Sequence, residues 1–283
     1  MRLMNAPDGI GRPKGPMRVV VTGATSGLGR ELAVQLARRG WRVAITGRRP
    51  DALKETARLV NDAGGEALIL VGSVTDDEEV RAHYALIKDS WGGLDWAILN
   101  AGVSERSDAK EFKTEIVRWT FDTNLLGACR WIEAALPGML AQKSGVIAGV
   151  ASLAGFRGLP ITGAYSASKA ALMTLLESTR VDLRGTGVDV VTICPGFVKS
   201  EITARNDPRG MPFLMETADG AAAIIAGVDA RRSVVHFPRP LSYPVKYILA
   251  MLPDFLYDRL AARLAHLRRK RPPSEASMAA RGA

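Results

Sequence analysis

Short apolar runs alternate with longer amphipathic segments along most of this chain. The runs have the length and the β-branched content of buried strands, whereas the segments between them repeat apolar residues at helical spacing. The pattern therefore predicts strands and helices in alternation. We predict strands at 18–21, 41–45, 67–71, 94–99, 145–150, 189–193 and 233–237, with helices at 30–39, 51–63 and 76–90 among them.

The same alternation predicts how the chain is organised. Repeated strand-helix units favour a parallel sheet that is covered by helices on both faces. We therefore expect one Rossmann-like, doubly wound α/β domain over residues 17–240. A flexible arm is predicted at 1–16, an amphipathic helical extension at 241–271 and a disordered tail at 272–283.

Composition narrows the classes of protein that fit this pattern. A length of 283 residues with 47% apolar content suits one large domain better than two. Cys129 and Cys194 are far apart and the histidines are scattered, so we expect neither a disulfide framework nor a metal site. No apolar run of signal-peptide length precedes the first strand, which favours the cytoplasm. The net charge of +9 favours an anionic partner, namely a dinucleotide phosphate, an acidic carrier protein, a membrane surface or nucleic acid.

A glycine-rich turn follows the first predicted strand and precedes the first predicted helix. It reads Thr-Gly-Ala-Thr-Ser-Gly-Leu-Gly from Thr22 to Gly29. Small residues let the backbone approach a pyrophosphate, and the free amides at the start of the helix favour its negative charge. The turn therefore indicates a dinucleotide site, with a tight turn that binds no ligand as the alternative.

Three segments together resemble the short-chain dehydrogenase/reductase family. The turn is similar to the family's T-G-x-x-x-G-x-G loop, Asn100-Ala101-Gly102 to its N-A-G segment, and Pro195-Gly196 to the P-G turn beside the nicotinamide. Their order along the chain is the family's order. The resemblance implies a nicotinamide cofactor contacted by Gly23, Thr25, Ser26, Gly27, Leu28, Gly29, Arg48, Ser73, Val74, Asn100, Ala101, Gly102, Tyr165, Lys169, Pro195, Gly196, Val198 and Ser200.

The end of the second predicted strand bears on the choice between NAD and NADP. Proteins selective for NAD usually place an acidic side chain there, whereas this chain has Arg48 and Arg49. Arg48 can pair with a 2′-phosphate, so NADP(H) is predicted. Two alternatives stay open: Arg48 only stacks on the adenine, and Arg49 is a solvated surface charge. Ser73 stands where the family more often has an acidic residue near the adenine, and this shorter neutral side chain can still offer a hydrogen bond there.

Four residues resemble the family's catalytic set, namely Asn124, Ser152, Tyr165 and Lys169. Tyr165 and Lys169 are four positions apart, so on one helix they share a face. We predict that Tyr165 exchanges the proton, because the Lys169 ammonium and a nearby nicotinamide cation favour the phenolate. Ser152 is expected to donate a hydrogen bond to the substrate oxygen. The resemblance implies that Asn124 holds a water in a relay to Lys169, and that Ser200 replaces a threonine beside the nicotinamide.

Two later segments are candidates for substrate binding. Residues 201–215, rich in proline, glycine and apolar side chains, predict a mobile substrate lid or an irregular surface loop. Leu256, Leu260, Leu264 and Leu267 then form a stripe at helical spacing, followed by basic residues at 268–271. The stripe is interpreted as covering the substrate pocket, packing on another subunit or lying on an anionic membrane, with packing on protein preferred. Prolines and charges interrupt the extension, so no transmembrane helix is predicted.

These observations predict an NADP(H)-dependent oxidoreductase that interconverts a carbonyl compound and an alcohol. We expect it to reduce an apolar ketone or aldehyde, and a lipid-like substrate if the extension contacts a membrane. Two alternatives are reduction of a 3-oxoacyl group on an acidic carrier protein and a cofactor-binding regulator without turnover. Nucleic-acid binding is not expected, because no recognised binding module accompanies the charge. A homodimer or a homotetramer is expected, although these residues do not decide between them.

Overall fold

The computed structural model describes residues 15–204 and 206–268. All but two residues of the arm predicted at 1–16, and the whole of the tail predicted at 272–283, lie outside the described residues. The last three residues of the extension predicted at 241–271 also lie outside them.

A seven-stranded parallel sheet forms the centre of the molecule, with the strand order β3-β2-β1-β4-β5-β6-β7. The order reverses between β1 and β4, which makes the carboxyl ends of these two strands the place where a crevice opens. The predicted doubly wound fold is confirmed. The strands are β1 (Arg18–Thr22), β2 (Arg42–Gly47), β3 (Glu66–Val71), β4 (Trp96–Leu99), β5 (Gly145–Val150), β6 (Val188–Pro195) and β7 (Val234–Phe237).

Helices cover both faces of the sheet. They are α1 (Gly27–Ala37), α2 (Pro50–Asp62), α3 (Asp77–Trp91), α4 (Thr114–Phe121), α5 (Gly127–Gln142), α6 (Gly163–Asp182), α7 (Glu201–Ala204), α8 (Thr217–Asp229), α9 (Arg239–Tyr247) and α10 (Asp254–Arg268). Apolar residues of α1, α2 and α8 pack on one face of the sheet, and those of α3, α5 and α6 pack on the other. The central strands are apolar on both faces because both faces are buried.

Two helix boundaries differ from the sequence predictions. Helix α1 begins at Gly27 rather than at residue 30, because the last glycines of the turn already take part in its first turn. Helix α9 lies mostly within the helical extension predicted at 241–271, but it begins earlier, at Arg239, with Pro240 in its first turn and Pro244 in its interior. Proline is compatible with the first turn of a helix, where its missing amide has no partner to lose. Among the described residues, no helix is long and apolar enough to cross a membrane.

The C-terminal extension packs against the loop that follows β5. Arg157 of this loop donates hydrogen bonds to the backbone oxygens of Ala250 (3.2 Å) and Leu252 (3.0 Å), and to the Asp254 carboxylate (3.0 Å). Its guanidinium also lies 4.2 Å from the ring centroid of Tyr257. The Tyr257 hydroxyl donates to the backbone oxygen of Gly158 at 2.6 Å. The loop after β5 thus holds both the turn that follows α9 and the start of α10.

The buried face of α10 differs from the predicted leucine stripe. Tyr257 and Ala261 are buried, whereas Leu256 and Leu260 are 42% and 41% exposed. The interpretation that the stripe covers this chain's own substrate pocket is therefore wrong for these two leucines. The reason is that an aromatic residue four positions before an alanine provides the packing face, and a count of leucines does not reveal it.

Candidate active site

A cleft of about 870 Å³ opens at the carboxyl ends of the parallel strands. Its walls come from the loops after β1, β2, β3, β4, β5 and β6, together with the start of α6. Every residue that the sequence predicted to contact the cofactor lines this cleft. The sheet brings them together because parallel strands all end at the same edge.

The glycine turn after β1 has the shape of a cradle for a phosphate. A Cβ atom on Gly29 would lie 2.3 Å from the backbone oxygen of Gly23, so no larger residue fits there. Ser26 precedes α1 without capping its amides by a side-chain hydrogen bond, and the first turn of α1 holds no acidic residue. Bare backbone amides at a helix start, with no carboxylate among them, suit the pyrophosphate of a dinucleotide.

Thr22 ties the glycine turn to the neighbouring strand. Its buried hydroxyl accepts hydrogen bonds from the backbone amides of Asn100 and Ala101, each at 2.9 Å. The Asn100 side chain in turn donates to the backbone oxygens of Thr22 (2.9 Å) and Gly23 (3.3 Å). The turn and the N-A-G segment therefore form one rigid unit at the switch point of the sheet.

Two arginines stand at one end of the cleft. Within the described part of the chain, Arg48 makes no hydrogen bond or ion pair and is exposed at the cleft wall. Arg49 also lines the cleft, and its guanidinium donates to the hydroxyls of Thr25 (2.8 Å) and Ser26 (3.0 Å). The alternative that Arg49 is only a solvated surface charge is therefore wrong. The linear sequence does not reveal that Thr25 and Ser26 of the glycine turn contact this arginine.

Tyr165 and Lys169 face the other end of the cleft from α6. Tyr165 is half-buried, and the Lys169 ammonium lies 5.8 Å from its ring centroid. Lys169 is buried, and its Nζ donates to the backbone oxygen of Val150 at 2.7 Å. Burial lowers the pKa of Lys169 to about 8, with a smaller opposing effect from Cys194. Near neutral pH this side chain is therefore still an ammonium, but one that releases its proton far more readily than an exposed lysine.

Asn124 lies behind the cleft wall in a π-helical turn, Asp122–Leu126, between α4 and α5. Its Oδ1 accepts from the backbone amide of Val103 (2.7 Å), and its Nδ2 donates to the Val103 oxygen (3.0 Å) and the Ser168 hydroxyl (3.0 Å). A Cβ atom on Gly102 would lie 3.3 Å from Asn124 Oδ1 and 3.4 Å from Lys169 Nζ. The side chains of the asparagine and the lysine thus both approach the same glycine.

Ser152 lies directly after the lining residue Ala151, in the loop that Arg157 also occupies. It is buried, and its Oγ accepts a hydrogen bond from the backbone amide of Ala154 at 3.1 Å. This bond leaves the hydroxyl proton of Ser152 available for donation, because an accepting oxygen still carries its own hydrogen. Neither Ser152 nor Asn124 is itself among the residues that line the cleft.

The end of the segment predicted as a lid at 201–215 lies beside the residues that precede its start. Lys199 donates from its backbone amide to the Met215 oxygen (3.0 Å), and Met215 donates to the Phe197 oxygen (2.9 Å). Among the described residues of this loop, only the first three, from Glu201 to Thr203, line the cleft. Backbone hydrogen bonds therefore hold the two ends of the loop together, and α7 is the part of the loop that contacts the cleft.

The structure adds functional candidates that the sequence did not identify. Glu201 lines the arginine end of the cleft, and Trp119 lines its wall from α4. Ser168 positions Asn124, and it donates to the backbone oxygen of Tyr165 at 2.8 Å. Its place inside the Tyr165 to Lys169 motif was the one available signal. Among the described residues, no group of three or more His, Cys, Asp or Glu could hold a metal.

Comparisons with known proteins agree with this geometry. The short chain dehydrogenase family matches residues 17–209 of the chain. An uncharacterized oxidoreductase of Myxococcus xanthus is 46% identical over 245 residues, which cover 87% of this chain and 96% of that protein. An uncharacterized oxidoreductase of Listeria monocytogenes is 32% identical over 74% of this chain and 88% of its own length.

A relative that is named for an activity matches a smaller share of the chain. The ketoacyl reductase HetN of Nostoc is 35% identical over 180 residues, which cover 64% of this chain and 63% of that protein. The family match spans the sheet from β1 to β6, the cleft and the whole candidate catalytic set. The chain is therefore an oxidoreductase that belongs to the short-chain dehydrogenase/reductase family, whose members bind a nicotinamide cofactor.

Proposed function

We propose that this protein uses NADPH to reduce the carbonyl group of a small apolar ketone or aldehyde. The observation that carries the proposal is one continuous cleft, with Arg48 and Arg49 at one end and Tyr165 and Lys169 at the other. A dinucleotide extends along such a cleft with its 2′-phosphate near the arginines and its nicotinamide near the tyrosine. When bound, the cofactor supplies the hydride.

The glycine turn and the arginines hold the cofactor in this proposal. Small residues from Gly23 to Gly29 allow the pyrophosphate to approach the α1 amides, and Arg48 pairs with the 2′-phosphate. Ser73 and Val74 contact the adenine side, while Asn100, Ala101 and Gly102 form the floor of the cleft. Pro195, Gly196, Val198 and Ser200 line the nicotinamide end.

Proton transfer is assigned to the tyrosine and the groups behind it. Tyr165 gives its phenolic proton to the carbonyl oxygen as negative charge develops there, and Ser152 donates a second hydrogen bond to that oxygen. The buried Lys169 ammonium favours the phenolate that remains. Asn124, held by Val103 and Ser168, orders a water that returns a proton through Lys169.

The substrate class is inferred from the side chains near the tyrosine. Val103 and Trp119 line the cleft there, and the loop at 201–215 carries the buried Met211 with the more exposed Phe213 and Leu214. This apolar surface favours a ketone or aldehyde with a hydrophobic body. Closure of the loop over such a body would exclude water from the transferred hydride.

Replacing Tyr165 with phenylalanine tests the catalytic assignment. NADPH oxidation with a panel of apolar ketones and aldehydes should fall by about 100-fold or more in Tyr165→Phe, while NADPH binding is retained. Tyr243→Phe, which changes an exposed tyrosine outside the cleft, is the matched control and should keep wild-type turnover. Comparable turnover by the Tyr165 variant would refute the assignment.

A second candidate is reduction of a 3-oxoacyl group carried by an acidic protein. The activity for which the Nostoc relative is named and the net charge of +9 favour it. Rates with a 3-oxoacyl group on the carrier protein and on a short thioester distinguish the two. A rate that depends on the carrier would favour this candidate, and equal rates would favour the free small molecule.

We further propose that the chain works in the cytoplasm as a homodimer or homotetramer. Leu256 and Leu260 present an apolar face of α10 that this chain leaves exposed, and Met251 nearby is 81% exposed. A second copy of the chain suits this face better than an anionic membrane, because Asp254 and Asp258 interrupt its basic residues. Peripheral membrane contact is the alternative, which binding to anionic vesicles distinguishes from self-association.

A further inference from the structure

Arg49 has a carboxylate partner inside the cofactor cleft. Its Nη1 lies 2.9 Å from Glu201 Oε1 and its Nη2 lies 3.1 Å from Oε2, so the pair is bidentate. Both side chains are open to solvent, with 52% and 62% exposure. Both residues also line the cleft at the end where Arg48 stands.

The Glu201 carboxylate has the surroundings of a bound anion. Partial burial would raise the pKa of Glu201, but hydrogen bonds with Arg49 and Ser26, and the charges of Arg49 and Arg30, outweigh this effect and lower it. A hydroxyl, a guanidinium fork and a second nearby arginine are also the groups that hold a phosphate monoester. The protein's own carboxylate therefore meets the chemistry that a 2′-phosphate would require.

Glu201 is also the first residue of α7, where the loop at 201–215 begins. The backbone amides of Thr203 and Ala204 donate to the oxygen of Ser200, at 3.1 and 2.9 Å, and the Thr203 hydroxyl donates to the Val198 oxygen at 2.7 Å. The Arg49 pair connects this short helix across the cleft to the end of β2. A change at Arg49 is thus transmitted to the start of the loop.

We propose that Glu201 competes with the cofactor's 2′-phosphate for Arg49, so that binding of the phosphate releases α7 from the end of β2. The inference rests on the proposed preference for NADP(H). Glu201 then lowers the selectivity that the two arginines would otherwise give. It also makes the start of the loop respond to which dinucleotide is bound.

The competition predicts a specific effect of removing the charge at Glu201. In Glu201→Gln, the dissociation constant for NADPH should fall about two- to fivefold, the range that an exposed ion pair supports, while that for NADH should change little. Cofactor fluorescence titrations of the purified full-length protein measure both constants without turnover. The ratio of the two constants is the decisive quantity.

Two further variants control this measurement. Glu216→Gln removes a similarly exposed carboxylate that pairs with Lys199 at the base of the same loop but does not line the cleft, so its ratio should equal that of the wild type. In a protein that already carries Arg49→Ala, adding Glu201→Gln should no longer lower the dissociation constant for NADPH relative to that for NADH. A full effect in the absence of Arg49 would overturn the competition.

The outcomes separate this inference from the proposed cofactor preference. If the wild type prefers NADPH and Glu201→Gln leaves the ratio unchanged, the competition is overturned and the preference stands. If the wild type prefers NADH but Glu201→Gln raises the relative affinity for NADPH, the preference is refuted and the competition is supported. An unchanged ratio in a wild type that prefers NADH overturns both.

Hydrogen exchange tests the release of α7. The amides of Thr203 and Ala204 should exchange faster in the NADPH complex than in the NADH complex, because only NADPH carries the competing phosphate. In Glu201→Gln, the two complexes should exchange alike. Equal exchange in the two wild-type complexes would overturn the release.

Discussion

Neighbouring arginines at the end of β2 have different environments, although the sequence presents them as equals. Arg49 is engaged by the glycine turn and by Glu201, whereas Arg48 is exposed at the cleft wall. An unengaged guanidinium can meet an incoming phosphate without first breaking another bond. We therefore assign the larger share of 2′-phosphate binding to Arg48.

Reversing the charge at Arg48 should change the cofactor preference. In Arg48→Asp, the ratio of kcat/KM with NADPH to kcat/KM with NADH should fall at least tenfold, because the carboxylate repels the 2′-phosphate and can accept bonds from a free ribose. Arg81→Asp makes the same charge change on α3, away from the cleft, and should leave the ratio near that of the wild type. An unchanged ratio in Arg48→Asp would assign the phosphate to another residue.

Lys169 should also make stability depend on pH in the protein without cofactor. Its pKa is about 8 in the fold against an ordinary value of 10.5, so the unfolded chain keeps this proton over a range where the folded chain has released it. Unfolding then takes up a proton between these pH values, and the free energy of unfolding rises with pH across them.

Comparison with Lys169→Met isolates this effect. Between pH 8 and 10.5, the wild type should gain about 3 kcal/mol of unfolding free energy relative to the variant, which has no such proton. Urea denaturation at closely spaced pH values measures the difference, and other titrating groups cancel because both proteins contain them. Parallel pH profiles would contradict the assigned pKa.

At the scale of elements, the loop after β5 connects catalysis to the C-terminal extension. It begins with Ser152, and a few residues later Arg157 and Gly158 hold the extension through the bonds to α10 and the turn before it. Arg157 is 20% exposed, so its bonds are stronger than those of a fully solvated pair. The docking of α10 therefore stabilises the loop that carries the serine.

Removing this arginine should loosen the extension. In Arg157→Ala, the free energy of unfolding should fall by about 2 kcal/mol, because two charged hydrogen bonds to backbone oxygens and a cation–π contact are lost. Limited proteolysis should then cut first between 239 and 268. Arg180 lies on α6 and forms only a long 3.6 Å pair with Glu177, so Arg180→Ala should resist proteolysis as the wild type does. Equal resistance of the two variants would show that α10 is held by other contacts.

At the scale of the whole molecule, the described part of the C-terminal extension exposes an apolar surface. Exposed large apolar residues are concentrated in the extension, where Tyr247, Ile248, Met251 and Phe255 accompany the two leucines of α10. Contiguous apolar surface of this kind marks a contact with another molecule. A second copy of the chain is the proposed partner.

Charged residues on this surface should separate the copies. Sedimentation velocity should show a dimer or tetramer for the wild type and a smaller species for Leu256→Glu combined with Leu260→Glu, because buried charges oppose association. Leu86→Glu, an exposed leucine on α3, is the control and should keep the wild-type state. A monomeric wild type that sediments with anionic vesicles, and loses this binding in the double variant, would instead favour the membrane.

The sequence predicted the fold because its information is local and repeated. Strands buried on both faces need uninterrupted apolar runs, and each run appears in the chain where the structure has a strand. The residues that line the cleft could also be predicted from the sequence, because they lie in short motifs directly after strands and parallel strands end at one edge. A motif and its position in the alternation were sufficient for both.

The tertiary structure decided the relations between residues that are distant in the chain. Glu201 meets Arg49 across 152 positions, and Arg157 meets Asp254 across 97. No local pattern links the two members of either pair. The packing face of α10 likewise depends on what lies beneath it, so the spacing of the leucines did not predict that Tyr257 and Ala261 form this face. The local sequence pattern determines which element forms and at which edge of the sheet the residues that follow it lie. Long-range contact depends on the relative placement of elements, which only the folded chain contains.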